Sequence, residues 1–173
     1  EEAARKVRFW STQARENVPW YQHKELGYNY RMSNILAGIG RGQLRYLEEH
    51  RIRKKQIYQR YEQGLKGFPL TMNPFLEYTE PNFWLSCILI DKGIEVSPVK
   101  IREKLEEYHV ESRPIWKPMH LQPVYENYDF VMAEEGEDVG KDIFCRGLCL
   151  PSDIKMTEQE QEIIMELIKN CFV

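Results

Sequence analysis

The chain has 173 residues, of which 42% are hydrophobic and 29% are charged, and its formal net charge is -3 at pH 7. It is long enough for one ordinary domain or one large piece of a bigger protein, and it has enough apolar side chains for a core. No apolar run approaches the roughly 18 residues that a membrane span needs, and the acidic balance argues against nucleic acid as a partner. We therefore expect neither a membrane nor a nucleic-acid partner, and we predict a cytoplasmic location.

The first third of the chain is predicted to be mostly helical. Residues 1–16 form one predicted helix, because Val7, Trp10 and Ala14 recur at helical spacing. A polar, aromatic loop follows over 19–32, and a single long helix is then predicted over 33–64 with Ser33 as its N-cap. The glycines of this helix each cost roughly 1 kcal/mol of helix propensity, so we expect another segment or subunit to press closely against them: Gly38, Gly40 and Gly42.

The rest of the chain mixes strands and helices. Strands are predicted over 83–90, 110–113 and 148–150, and helices over 97–108, 132–144 and from Thr157 onward. The last helix has a Thr-x-x-Glu capping box and the predicted apolar face Ile163, Ile164, Leu167 and Ile168. The loop over 114–131 is predicted to contain a helical turn near His120. This order is typical of an α/β unit, with a boundary between residues 60 and 70.

Two sets of residues that could suggest metal sites have simpler interpretations. The cysteines show no zinc spacing and no partnered histidines, so we expect reduced, buried or half-buried thiols: Cys87, Cys145, Cys149 and Cys171. The acidic run has no histidine beside it in sequence and is predicted to be a surface turn: Glu134, Glu135, Glu137 and Asp138. We therefore predict no metal site.

A candidate anion site lies in the segment Gly27-Tyr28-Asn29-Tyr30-Arg31-Met32-Ser33-Asn34. It comes just before a predicted helix N-terminus, where free backbone N–H groups and the helix dipole favour an anion. Asn29 and Arg31 add side-chain donors suited to phosphate oxygens, and Gly27 would allow a tight turn. The alternative is a capped loop that packs its tyrosines on the helix.

A second candidate site is the segment Arg113-Pro114-Ile115-Trp116-Lys117-Pro118-Met119-His120. Its prolines stiffen the chain. A stiff loop that presents an aromatic surface and cations suits an anionic ligand with a flat base, such as a nucleotide sugar. The alternative is a loop anchored in the core by Trp116 and Met119.

The long helix is rich in basic residues over 41–66, with eight Arg or Lys against three Glu. Such a helix could bind nucleic acid. Its charges go round the helix instead of forming one stripe, and the whole chain is acidic. A solvated helix face is therefore the favoured interpretation.

Together these segments resemble the DegT/StrS-type sugar aminotransferases. The resemblance rests on Gly27-Tyr-Asn-Tyr-Arg-Met-Ser33, on Ala37-Gly-Ile-Gly40 with Gln43-Leu44, and on Gly147-Leu-Cys-Leu-Pro-Ser152 before the terminal helix. It covers nearly the whole chain. The segment from Arg113 to His120 is similar to that of the branch that acts on UDP-4-keto-6-deoxy amino sugars, on the way to bacillosamine-like sugars.

This resemblance implies the C-terminal part of a type I aminotransferase fold, with residues 1–65 ending the large domain and forming a long connecting helix, and with 66–173 forming a small α/β domain. It implies a homodimer with shared active sites and pyridoxal 5'-phosphate (PLP) as cofactor. Asn29 matches the residue that reaches the PLP phosphate of the partner subunit, with Arg31 beside it. His120 matches a residue near the sugar nucleotide; Trp116, Lys117 and Arg113 are weaker substrate candidates.

The implied reaction transfers an amino group from glutamate to the C4 ketone of the UDP-sugar. The lysine that holds PLP as a Schiff base is expected before residue 1, so this chain contains no candidate catalytic residue and alone would be inactive. The opening Glu1-Glu2-Ala3-Ala4 is typical of the interior of a longer protein. The alternative is a non-catalytic module of the same ancestry that binds a sugar nucleotide or a protein.

Overall fold

We analysed a computed structural model of the chain, which describes residues 1–132 and 136–172. The chain divides into two compact units, the first comprising residues 1–47 and the second beginning at Glu48. The domain boundary predicted between residues 65 and 66 concerns a longer protein and stays a prediction. Among the helices of the described residues, none is both long and apolar enough to cross a membrane.

The first unit contains α1 (Glu2–Ser11) and α2 (Asn34–Leu44). The prediction that the first helix reaches residue 16 was wrong, because Gln13 and Ala14 have φ angles of 68° and 50°, in the left-handed region. That conformation breaks the helix. The chain after α1 pairs instead with the loop that follows, through antiparallel bridges from Thr12 to Asn29 and from Arg15 to His23.

The predicted single helix over 33–64 is two helices, α2 and α3 (Leu47–Gly64). The N-cap prediction is confirmed, since Ser33 Oγ accepts a hydrogen bond from the Leu36 N–H at 3.3 Å. At the C-terminal end of α2, the Tyr46 N–H donates a hydrogen bond to Gln43 O at 3.0 Å. This is a 3-10 type turn between residues three apart, and α2 ends there. Beta carbons built at the three α2 glycines would meet no atom within 4 Å. The close approach of another segment or subunit to these glycines stays a prediction.

The second unit is built on a four-stranded sheet with the order β1-β2-β4-β3, in which every neighbouring pair is antiparallel. Its strands are β1 (Leu70–Met72), β2 (Ser86–Ile90), β3 (Arg113–Pro114) and β4 (Gly147–Leu150). Its other helices are α4 (Pro98–Glu107), α5 (Val139–Arg146) and α6 (Glu158–Lys169). Two 3-10 turns, Met119–Leu121 and Pro123–Tyr125, confirm the helical turn predicted near His120.

Several predicted boundaries in this unit were wrong for local backbone reasons. The strand predicted from residue 83 begins at Ser86, because Phe83 has a φ of 53°. The strand predicted over 110–113 is only Arg113–Pro114. His109 has a left-handed backbone, and the Val110 N–H therefore donates a hydrogen bond back to Leu105 O at 3.0 Å instead of entering a strand. The helix predicted over 132–144 begins at Val139, where the Asp138 side chain caps it. Strand β1 was not predicted.

The core of the second unit lies between the central strands and the helices. Ile88 and Leu148 are each 1% exposed and pack with side chains of α3, α4 and α6. The capping box of Thr157 and Glu160 is present, as predicted. Ile163 is 56% exposed, so its assignment to the apolar face of α6 was wrong. Met165 is buried in the core instead.

Candidate functional site

Asn29 and Arg31 line the same open cleft in the first unit, which has a volume of about 640 Å³. The cleft is lined by the segment after α1 and by the loop before α2: Thr12, Gln13, Arg15, Glu16, Asn17, Val18, Asn29 and Arg31. The structure therefore brings together the two residues that the sequence predicted to bind a phosphate.

Backbone pairing holds Asn29 in place. The Gln13 N–H donates to Tyr28 O at 2.9 Å, and the Tyr30 N–H donates to Ser11 O at 3.0 Å. Gly27 makes this pairing possible, though not by the tight turn predicted from the sequence. A beta carbon at Gly27 would lie 2.2 Å from Ala14 N, so the glycine is needed because two backbones approach closely.

The charges of this cleft favour an anion. Two guanidinium groups, those of Arg15 and Arg31, accompany the Asn29 amide, against one carboxylate, that of Glu16. Guanidinium and amide N–H groups are the donors that phosphate oxygens accept. Arg15, which stacks on Tyr21 at 4.2 Å from the ring centroid, was missed from the sequence, because only the left-handed turn after α1 brings it here.

Trp116 and Arg113 line a cleft of about 350 Å³ in the second unit. Trp84 lies on the same cleft, with its ring centroid 6.0 Å from that of Trp116. Both indoles are more than half exposed, at 63% for Trp84 and 64% for Trp116. The cleft therefore presents two aromatic surfaces beside a guanidinium, and Trp84 is the member that the sequence analysis missed.

Lys54 connects α3 to both walls of this cleft, which we call the tryptophan cleft. Its Nζ donates to Trp84 O at 3.1 Å and also to Ser152 O, and both residues line the cleft. Burial lowers the pKa of this ammonium. The expectation of a solvated basic face was therefore wrong for Lys54, which positions the cleft backbone.

Arg113 is exposed and already has a charged partner. Its Nε and Nη2 donate to Glu111 Oε1 at 2.8 and 2.6 Å, and Glu111 also lines the tryptophan cleft. An anionic ligand would therefore compete with Glu111 for this guanidinium.

His120 lies in a separate cluster with Asp138 and Phe130. Its Nε2 is 2.6 Å from Asp138 Oδ2, and its ring stacks on Phe130 with 3.6 Å between centroids. The hydrogen bond from the Lys141 N–H lowers the pKa of Asp138, and the hydrogen bond with His120 lowers it further. No histidine stands beside the acidic run in sequence, and the fold brings His120 against Asp138 from 18 residues away; Glu134 and Glu135 lie outside the described residues.

The four predicted substrate residues do not form one group. Arg113 and Trp116 share the tryptophan cleft, whereas neither Lys117 nor His120 lines it. Lys117 is exposed, and its carbonyl accepts a weak hydrogen bond from Gln122 at 3.5 Å. Within the described part of the chain, no group of three or more His, Cys, Asp or Glu side chains could hold a metal ion.

The chain is similar to known aminotransferases in sequence and in fold. EpsN of Bacillus subtilis, provisionally named a pyridoxal phosphate-dependent aminotransferase, is 40% identical over 99% of this chain and 44% of its own length. GDP-perosamine synthase of Vibrio cholerae is 32% identical over 88% of this chain and 41% of its own. Spr1654 of Streptococcus pneumoniae in its PLP form, provisionally titled a sugar aminotransferase, superposes with a TM-score of 0.82 at 23% identity, covering 98% of this chain and 43% of that one.

The match to the solved structure confirms the predicted α/β fold of an aminotransferase, with a small antiparallel sheet and helices. The chain spans less than half the length of these relatives. The profile of the DegT/DnrJ/EryC1/StrS aminotransferase family matches residues 1–169. The chain therefore belongs to the DegT/DnrJ/EryC1/StrS aminotransferase family.

Proposed function

We propose that this chain is the C-terminal part of a PLP-dependent aminotransferase that acts on a nucleotide sugar. The amino group would pass from glutamate to the C4 ketone of a UDP-4-keto-6-deoxy amino sugar, in a cytoplasmic homodimer with shared active sites. Residues 1–65 would complete the large domain and 66–173 would form the small one. The observation that carries the proposal is the cleft of Asn29, Arg31 and Arg15, whose donors suit a phosphate monoester.

The donors of this cleft fit one end of the cofactor. PLP supplies an electron sink for the amino transfer when it is bound. Asn29 and Arg31 would hold its phosphate, with Arg15 adding a second guanidinium. No lysine is among the residues that line the cleft. We further propose that the lysine that forms the Schiff base lies outside this chain, which alone would not transaminate.

The tryptophan cleft is the proposed contact for the nucleotide. Indole faces stack on flat bases, and a guanidinium attracts phosphate. Trp116 would stack on the base, and Arg113 would bind the phosphates. His120, from its separate cluster, and the exposed Lys117 would contact the sugar. In the homodimer these groups would serve the partner subunit's site.

The cofactor assignment is tested by Asn29→Ala in the full-length protein. Loss of a hydrogen bond to a charged phosphate costs about 1.5–3 kcal/mol, so we expect PLP affinity to fall at least about tenfold in a titration followed by cofactor absorbance. Asn127→Ala, at an exposed position of the second unit, is the matched control and should bind PLP normally. An unchanged affinity in Asn29→Ala would remove Asn29 from the cofactor site.

The choice of nucleotide is tested by incubating the full-length protein with glutamate, PLP and UDP-, GDP- or dTDP-linked 4-keto-6-deoxy sugars. Amino-sugar product with the UDP substrate alone, detected by mass spectrometry, would support the proposal. The 32% identity to a GDP-perosamine synthase makes a GDP-sugar the second candidate. Binding of a sugar nucleotide without product from any substrate would instead support the non-catalytic module.

A further inference from the structure

Two cysteines lie directly opposite each other in the centre of the sheet. Cys87 on β2 is in register with Cys149 on β4. Their Sγ atoms are 3.5 Å apart, and both thiols are free. These side chains have no part in the proposed amino transfer.

The backbone around Cys87 shows which kind of cross-strand pair this is. Its N–H donates to Asn73 Oδ1 at 2.9 Å, and its carbonyl accepts from the Asn73 N–H at 2.9 Å. Both polar groups of Cys87 therefore point away from β4, and Cys87 and Cys149 form a non-hydrogen-bonded pair. Such pairs have Cα atoms about 4.5 Å apart, inside the range of about 4.4–6.8 Å that a disulfide spans.

The hydrogen bond between the two thiols gives them different roles. The Cys87 thiol donates to Cys149 Sγ, which lowers the pKa of Cys149 and raises the pKa of Cys87. Accepting this hydrogen bond stabilises a thiolate at Cys149, the form that attacks an oxidant. Cys149, which is 5% exposed, also lines the tryptophan cleft, and this cleft would be the route of an oxidant as small as hydrogen peroxide.

We propose that Cys87 and Cys149 are an oxidation site that closes to a cross-strand disulfide when the protein meets a hydroperoxide. Oxidation of this pair would not depend on the proposed aminotransferase activity. The remaining cysteines form no such pair: Cys145 is exposed, against the expectation of buried or half-buried thiols, and Cys171 is buried with its Sγ 3.4 Å from Leu167 O.

The chemistry balances with hydrogen peroxide as the oxidant. The Cys149 thiolate, having lost its proton to solvent, attacks one peroxide oxygen; the S–O bond forms, the O–O bond breaks, and the departing hydroxide takes the Cys87 proton to become water. The Cys87 thiolate then attacks the Cys149 sulfur, forming the S–S bond. Hydroxide leaves that sulfur and takes a proton from solvent, so two thiols are oxidised while one peroxide becomes two waters.

The experiment is peptide mapping of the purified full-length protein after brief treatment with hydrogen peroxide and alkylation of the remaining thiols. Cleavage after Lys and Arg places each of the four cysteines in its own peptide, with Cys87 in 67–92 and Cys149 in 147–155. We expect these two peptides to appear cross-linked and lighter by two hydrogen atoms. Dithiothreitol should return them to separate peptides.

Two variants sharpen the test. Cys145→Ser should keep the cross-link at its wild-type yield, because Cys145 is not part of the pair. Cys87→Ser should abolish the cross-link and leave Cys149 oxidised to the sulfenic acid, which a sulfenate-specific probe detects. The proposal is overturned if the wild-type peptides 67–92 and 147–155 remain fully alkylated while Cys145 is oxidised, or if Cys145→Ser removes the cross-link.

Discussion

His120 is held on two sides in the structure. A carboxylate oxygen of Asp138 lies 2.6 Å from Nε2, and Phe130 covers one face of the ring. The same carboxylate group caps α5 by accepting the Lys141 N–H at 2.9 Å. The orientation of the imidazole is therefore fixed by the start of a helix, so that changes in α5 would alter the ring as well.

Tyr61 is a buried side chain whose hydroxyl group needs a hydrogen-bond partner. It is 0% exposed, and its hydroxyl donates to Pro151 O at 3.0 Å. Burial raises the pKa of this phenol. The hydrogen bond joins α3 to the residues that follow β4, next to the tryptophan cleft.

We expect Tyr61→Phe to lower the free energy of unfolding by about 1–3 kcal/mol, because it leaves a buried carbonyl without its donor. Urea denaturation followed by circular dichroism measures this. Tyr78, which is 86% exposed, provides the control, and Tyr78→Phe should change the free energy by less than about 0.5 kcal/mol. Equal effects of the two substitutions would show that the buried hydrogen bond contributes nothing.

The start of α6 illustrates how a short sequence signal sets an element. The Glu160 carboxylate accepts hydrogen bonds from the Thr157 N–H at 2.7 Å and from Thr157 Oγ1 at 2.9 Å. These hydrogen bonds lower the pKa of Glu160. A lowered folded-state pKa means that the stabilisation is present above the ordinary glutamate pKa and is lost as the pH falls through the folded-state value.

We expect Glu160→Gln to remove this part of the pH dependence, because glutamine still accepts the capping hydrogen bonds but carries no charge. Wild type should exceed the variant in stability at about pH 7, and the difference should vanish near about pH 3. Urea midpoints at the two pH values measure it, with Glu162→Gln on the exposed side of α6 as the control. A difference that stays constant with pH would contradict the assignment.

Features set by residues close together in sequence were predicted well, whereas features set by pairing with distant segments were not. The caps at Ser33 and Thr157 are local, and each accepts the hydrogen bond that its sequence predicts. Strand β1 has three residues and exists through its pairing with β2. The end of α1 likewise depends on pairing between Thr12 and Asn29.

At the scale of the whole molecule, apolar burial is concentrated in the second unit. All members of the main core cluster lie between Ile57 and Cys171. Among residues 1–47, all of which the structure describes, Ala14 alone is buried. The second unit thus contains the apolar contacts that a cooperative fold needs.

We expect a variant that begins at Leu47, and so keeps α3 whole, to unfold in one cooperative urea transition. The peptide 1–46 should show little helix by circular dichroism, because it has almost no buried apolar surface of its own. A shorter variant beginning at Gly67, which lacks the core residues of α3, is the control and should lose the transition. Absence of a cooperative transition in the variant from Leu47 would show that its core is insufficient alone.

The candidate site was only partly predictable for the same reason. Asn29 and Arg31 belong to one short segment and were found together. The tryptophan cleft combines Trp84, which precedes β2, with Trp116, which follows β3, and its walls are held by Lys54 from α3. Residues so far apart in sequence give no local signal of their proximity.

Gly27 determines how freely its part of the chain can vary. A side chain of any size there would meet the backbone at Ala14 N, 2.2 Å away, and at Gln13 C, 2.3 Å away. Neither obstacle can rotate aside, since both are main-chain atoms. In a library of random variants, position 27 should tolerate glycine alone, and any replacement would separate the two backbone segments that hold Asn29 opposite Thr12. A residue with no side chain thus restricts the sequences that can keep the cleft of Asn29 and Arg31.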